Sequence, residues 1–391
     1  MRISVAACLV ALAVSAAAVA AGGRQGPSAP VVRGPRVVST QVVRLRFQAR
    51  ERGVPAYRLR FRCAFDGARL RSCAASFTAR LAVGRHTLRV RAVDPRGRSG
   101  PMTRVTITVR PGGSAVKSIS VTGAPVNLAF AQDAVWATSS DGSLSKIDPA
   151  TNKVAARIAV GAGQLGGVAF GDGSIWVANF GGGELDRVDP GSSSVTARIA
   201  VGGRPVGPAV ATDGSVWVSN FDGSVERIDP TTNAVTARIA VGGKAEATAI
   251  AFGLVWSTNN DGTVATIDPA TNQVVGPRVT VDQDVDAIAQ AQDGLWVCTY
   301  YAGTVALVDP GSRQIVRRLT LRDNCSGIAV AAGSVWASRT QRGQIVQIDP
   351  ATVKVTAAIQ VGSRPRDITF GASSLWVVNE GSGSVSRIPI G

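Results

Sequence analysis

Gly167-Val168-Ala169-Phe170, Ile175-Trp176-Val177-Ala178-Asn179, Leu185-Asp186-Arg187-Val188 and Val195-Thr196-Ala197-Arg198-Ile199-Ala200-Val201 are four short apolar or alternating runs. Gly171-Asp172-Gly173-Ser174, Gly181-Gly182-Gly183 and Asp189-Pro190-Gly191 separate them. Such turn residues between runs of this length predict four antiparallel strands joined by tight turns. The unit recurs. The chain's seven tryptophans are Trp136, Trp176, Trp217, Trp256, Trp296, Trp336 and Trp376, spaced 39 to 41 residues apart. A large ring at a fixed period of this size marks a repeat architecture.

Counting strand types extends the reading. The third strand ends in Asp-Pro at Asp148, Asp189, Asp229, Asp268, Asp309 and Asp349, with Ile388-Pro389 in the last copy. The fourth strand type is as frequent only if residues 116–121, ahead of the first Trp, are included. That segment is therefore expected to finish the last unit and to remove an open edge. The expected fold is all-β: a seven-bladed β-propeller over residues 115–391, with four-stranded blades and the last closed by 116–121.

Ahead of the repeats, Met1-Arg2 and an apolar run to Ala20, with Ala18-Val19-Ala20 as a small-residue cleavage site, predict a signal peptide over 1–20. A Gly/Pro/Ser-rich leader over 21–36, a module over 37–110 and a linker over 111–114 follow. The location implied is secreted or envelope-associated. Four cysteines, Cys63, Cys73, Cys298 and Cys325, remain after processing, and an exported chain permits disulfides. Cys298 and Cys325 should reach the same face, either as a bond between neighbouring units or as two free thiols.

The net charge of +16 is unevenly spread. Residues 24–111 hold 20 Arg, no Lys and three acids, whereas residues 112–391 hold 21 basic and 23 acidic residues. In the module, Val43-Arg44-Leu45-Arg46-Phe47, Leu59-Arg60-Phe61-Arg62-Cys63 and Leu88-Arg89-Val90-Arg91-Ala92 alternate apolar with Arg, the pattern of half-buried strands. Arg44, Arg46, Arg58, Arg60, Arg62, Arg89 and Arg91 are expected outward, as an Arg-rich solvated surface or a basic face for polyanions. Outside a cell, wall polymers or lipid headgroups suit that face better than nucleic acid.

Phe61-x-Cys63-x-x-Asp66-Gly67, Cys73 and Gly84-x-His86-Thr87-x-x-Val90-Arg91-Ala92-x-Asp94 resemble bacterial immunoglobulin-like modules. That resemblance implies a small β-sandwich, and Cys63 and Cys73 are expected to be bonded. The recurrent Val-Trp-Val-x-Asn, Gly-x-Val-x-Arg-Ile-Asp-Pro and Val-x-Ala-x-Ile-x-Val-Gly resemble the exported propellers of the YVTN-repeat and virginiamycin B lyase groups. In that lyase group, His and Glu beside magnesium are implied in catalysis. The sole histidine here is His86, outside the repeats, so imidazole has no candidate there for base or metal-ligand work.

The Trp array and the Asp-Pro turns read as framework. The repeats depart from their own pattern around the fifth unit. Asp282, Asp284 and Asp286 precede its Trp, and Tyr300 and Tyr301 follow it. Arg339, Arg364 and Arg366 lie in matching loops of neighbouring units. Asp-x-Asp-x-Asp resembles the start of a calcium loop, but Ala287 stands where Gly is needed. No cofactor and no metal are expected. Variable loops on a rigid scaffold usually carry binding. The expected function is a monomeric, non-enzymatic binding or scaffold protein recognising a ligand or protein on this face, with the basic module as an envelope attachment. The alternatives are a streptogramin lyase-like lyase or hydrolase using carboxylates or tyrosines, and an extracellular sensor for protein partners.

Overall fold

The structure, a computed structural model, describes residues 26–34, 37–38, 42–81, 84–109 and 116–390. The expected signal peptide, most of the leader and the linker lie outside the described residues. Two compact units are resolved, one centred on 44–78 and 87–106, the other containing residues 107–390. Among the described residues no helix is long and apolar enough to cross a membrane.

The first unit contains most of two sheets. Val31–Arg33, Val42–Gln48 and Ser76–Arg80 form a three-stranded sheet. Val37–Val38, Thr103–Val109, Gly84–Val93, Arg60–Phe65 and Arg71–Cys73 form a five-stranded one, in that order. The alternation read from sequence places Leu45, Phe47, Phe61, Leu88 and Val90 inside. Phe47 meets Phe61 at 5.6 Å and Phe77 meets Phe65 at 6.4 Å between ring centroids, joining the two sheets. Cys63 and Cys73 are bonded.

Residues 116–390 form seven further sheets. Six comprise four consecutive strands or their equivalent; the seventh takes Pro365–Gly371, Ser374–Asn379 and Ser384–Pro389 and adds Lys117–Ser120 beside the last, with Ser384 opposite Ser120. In the fourth repeat the outer strand is split into Gln273–Val274 and Val279–Thr280, both paired with Thr263–Asp268. Pro277 lies in the break, where it has no N–H to give the ladder.

This pairing corrects the expected architecture. The chain forms nine separate small antiparallel-rich sheets of three to five strands, and none closes into a barrel. Each ladder is exhausted within its own sheet, so hydrogen bonding does not yield the expected seven-bladed β-propeller of YVTN-repeat or virginiamycin B lyase type. The immunoglobulin-like description is likewise replaced by the three- and five-stranded pair of sheets. What stands is an all-β chain of sandwich-like sheets with repeat-like organisation.

Between neighbouring sheets no strand ladder forms, and side-chain packing with isolated hydrogen bonds joins them. All seven Trp rings are fully buried. Trp136 packs among Ile175, Val177 and Val188 of the next sheet, and Trp256 among Leu295, Val297 and Val308. Trp376 packs among Leu128, Val135 and Ile147 of the first four-stranded sheet. Where the residue opposite the ring is basic it covers the ring. Lys146, Arg187, Arg227 and Arg387 lie 5.0 to 5.1 Å from the centroids of Trp136, Trp176, Trp217 and Trp376. These cations reach onward to the following Asp-Pro turn: Lys146 donates to the Pro190 carbonyl at 2.8 Å and Arg227 to that of Pro269 at 2.8 Å. Arg387 donates to the Pro149 carbonyl and to Asn152.

The Asp-Pro carboxylates close their own turns. Asp148 accepts from the Ala150 N–H at 2.7 Å and the Thr151 hydroxyl at 2.8 Å, and these bonds hold its carboxyl below the usual range. Asn152, Asn233 and Asn272 take the left-handed conformation at the turn ends.

Since a fully buried Trp side chain in such a contact contributes about 3–5 kcal/mol against Ala, Trp376→Ala should lower unfolding stability by that amount. Urea denaturation measures it; a loss below about 1 kcal/mol would show the ring to be dispensable for joining the seventh sheet to the first.

Candidate functional site

Each of the seven repeats opens on an apolar strand, and the starts of these strands converge on one cavity. Its wall takes Val126, Gly166, Val206, Glu246, Asp286, Ser326 and Arg366, one residue per repeat at intervals of 40, and encloses about 270 Å³. The pairing of the opening strand with its Trp strand shifts register just here, at Pro125/Asn127, Pro205/Pro208, Ala245/Thr248, Val285/Ala287 and Pro365/Ile368. Such bulges interrupt pairing and re-aim side chains. Close approach of neighbouring strands also fixes residue type. A Cβ on Gly167 would stand 2.6 Å from the Val206 carbonyl oxygen, and one on Gly207 2.8 Å from Ala247 Cα.

Charge concentrates on one side of the cavity. Glu246, Asp286 and Asp367 line it with Arg366. Asp367 is satisfied by the N–H groups of Leu128 and Ile368, both at 2.8 Å. Burial nevertheless raises its pKa. Burial also pushes Asp286 up to about 6, with Arg366 opposing and Asp284 reinforcing the shift. Glu246 is pushed up to about 8, by burial first and then by the charges of Asp286 and Asp284, against the pull of Arg366 and Lys244. Arg366 is shared with Glu380, 3.6 Å away, which also holds Arg364 at 2.9 Å. The Thr248 hydroxyl, on the cavity wall, is buried without a hydrogen-bond partner.

Glu246 and Phe221 also line a second, adjoining hollow of about 530 Å³ with Lys244, Asn260, Asp284 and Tyr301. Phe180 and Phe221 meet edge to face at 5.3 Å. Arg204 covers the first ring and Lys244 the second, each 5.5 Å from the centroid. Tyr301 is 69% exposed and stands edge to face with Tyr300 at 5.1 Å.

The structure thus brings together only part of the residues singled out by sequence. Asp286 and Arg366 share the cavity, and Asp284 and Tyr301 share the hollow beside it. Asp282 instead accepts from the Thr304 hydroxyl at 3.0 Å. Arg339 donates to the Leu321 carbonyl at 3.0 Å, and burial and Arg342 lower its pKa. Cys298 and Cys325 are bonded, resolving the two alternatives, and place a covalent link beside Ser326 of the cavity wall. Sequence reading missed Glu246, Asp367, Lys244, Phe180 and Phe221. Their signal was available: aligning the repeats at 40-residue intervals puts Glu246 and Asp286 in a column otherwise filled by Val, Gly, Ser and Arg. Among the described residues no group of three or more His, Cys, Asp or Glu is arranged to hold a metal ion.

A scan against protein-family models matches none of them, and a search of curated proteins finds no significant relative. Among solved structures the chain is similar to Kuenenia stuttgartiensis hydrazine synthase, with a TM-score of 0.61 and 16% identity over 71% of this chain and 98% of that one. At that identity the likeness bears on the fold alone. The expected membership of the YVTN-repeat or virginiamycin B lyase groups is therefore not shown.

The raised Glu246 pKa has a consequence for stability. An unfolded chain ionises this carboxyl near its ordinary value of 4.5, whereas the folded chain keeps the proton until about 8. The folded state therefore binds the extra proton in that window, and its contribution to stability is lost as pH rises from about 4.5 to about 8. Glu246→Gln removes the dependence. Its melting temperature should exceed that of the parent by about 2 °C or more at pH 8, with the gain vanishing near pH 4. The same difference at both pH values in thermal melts would contradict the assignment.

Proposed function

We propose that the protein is an exported, non-enzymatic binding protein that takes a small cationic ligand, such as a primary or quaternary amine, in the cavity lined by all seven repeats. The observation that carries this reading is the charge of the wall. Within the cavity lining Glu246, Asp286 and Asp367 face Arg366 alone, itself shared with Glu380 outside the lining, and Lys244 acts on Glu246 from the adjoining hollow. An ammonium group would supply the missing positive charge and restore ionisation to Glu246. Phe180 and Phe221 already carry cations on their faces, which supports an aromatic approach suited to an amine. The cavity volume of about 270 Å³ fits a ligand of few heavy atoms.

A second reading is favoured by one observation. A carboxyl that holds its proton to about 8 beside one that releases it near 6 is the pairing from which acid–base catalysis is built. Under that reading Glu246 would exchange a proton with a substrate, as the carboxylate-dependent lyase or hydrolase alternative requires.

Calorimetric titration with choline, putrescine and agmatine distinguishes these. Binding should release a proton from Glu246, so affinity should rise from pH 6 to about 8 and then level off. Glu246→Gln or Asp286→Asn should weaken binding about tenfold or more. Failure of every amine to bind, or binding indifferent to both substitutions, removes the proposal. Turnover of a bound amine that is lost in Glu246→Gln would favour the catalytic reading.

A further inference from the structure

The first unit carries a surface of different chemistry. Strands Arg60–Phe65 and Gly84–Val93 pair with Arg62 opposite Arg91, Ala64 opposite Arg89 and Arg60 opposite Val93. Directly opposed residues project to one side of a sheet. Phe61, Cys63, Leu88, Val90 and Ala92, in the alternate positions, are buried. Arg60, Arg62, Arg89 and Arg91 therefore share the outer face. Arg60 and Arg62 are exposed and the other two half-buried.

The charge on this face is uncompensated. The strands Arg60–Phe65, Arg71–Cys73, Gly84–Val93 and Thr103–Val109 contain no Asp or Glu. Among the described residues no ion pair involves these four arginines. Many arginines of the repeats are paired: Arg157 meets Asp141 at 2.7 Å, Arg278 meets Asp261 at 2.7 Å and Arg317 meets Asp293 at 2.7 Å. Like charges directly opposed, as at Arg62 and Arg91, destabilise a sheet pair unless something neutralises them.

Two of the guanidinium groups are also held in place. Arg62 donates to the Leu70 carbonyl at 3.3 Å and Arg89 to the Ala68 carbonyl at 2.7 Å. The Nε atoms of Arg89 and Arg91 are buried without a partner. Fixed guanidinium forks are matched to bidentate binding of phosphate oxygens. We propose that this face binds an extended linear phosphate polymer, with Arg62 and Arg91 at its centre. A bilayer is the less suited occupant, because none of the exposed large apolar residues lies on these strands to enter lipid.

Arg44 and Arg46 lie on the three-stranded sheet, so they stand apart from this face and supply its control. The full chain is titrated with long-chain inorganic polyphosphate at several salt concentrations. Arg62→Gln/Arg91→Gln should weaken binding about tenfold or more and reduce the slope of log affinity against log salt by about 1.4. Arg44→Gln/Arg46→Gln removes the same charge and should leave affinity within about twofold. Equal losses in both pairs would mean that net charge alone binds, and no loss in the first pair would remove the face. Vesicles rich in phosphatidylglycerol binding more tightly than polyphosphate would overturn the choice of occupant. If the first pair does not fold, Arg60→Gln/Arg62→Gln, at two exposed positions, carries the same expectation.

Discussion

The repeat region depends on burial of one indole per repeat against the sheet that follows. Backbone hydrogen bonds satisfy each four-stranded sheet largely internally, and only isolated ones, such as Gly167 N–H to the Val206 carbonyl and Leu165 N–H to the Ser139 carbonyl, reach a neighbouring repeat. Apolar contact makes most of the junction, and the seven Trp rings supply it. Four of them are covered by a cation that also bonds the next Asp-Pro turn. One side chain thus reads both the ring of its own sheet and the turn of the next. Elsewhere the opposing residue is Thr266, Leu307 or Gln347, and the apolar contact remains without the cation. The ring contact is therefore the common element, and the cation an addition to it.

This scaffold explains why the cavity can tolerate a costly composition. Burial, reinforced by neighbouring carboxylates, raises the pKa of both Glu246 and Asp286. Such groups lower stability at neutral pH and persist where surrounding packing fixes them. The bulges at the strand starts, the Gly contacts at 167 and 207, and the Cys298–Cys325 bond all immobilise the wall. Rigidity of that kind lowers the entropy lost when a ligand binds.

The period and the four-strand unit were legible because Trp and the Asp-Pro turns are local signals with little freedom. How the sheets relate was read too far, since strand counting describes units and does not by itself describe what joins them. Site residues were harder. Asp282 drew attention as part of an acidic run, yet its carboxylate serves Thr304. Glu246 sits alone in sequence between Ala245 and Ala247, and acquires its character from burial and from Asp286 and Asp284, about 40 residues away. The basic face was half legible. Alternation placed each Arg outward, but register alone shows that Arg62 and Arg91 are opposed while Arg44 and Arg46 belong to another sheet.

The strand Lys117–Ser120 completes its sheet with Ser384–Pro389, more than 260 residues further along the chain. Every other four-stranded sheet can form from neighbours in sequence, and so can begin as soon as its own residues are available. This one has to wait for nearly the whole chain and must close a very long loop, which slows it relative to local pairing. During synthesis the segment ahead of the first Trp has no partner strand, and it is an unpaired edge for that interval. Assembly of the repeat region therefore ends at the sheet that contains its beginning.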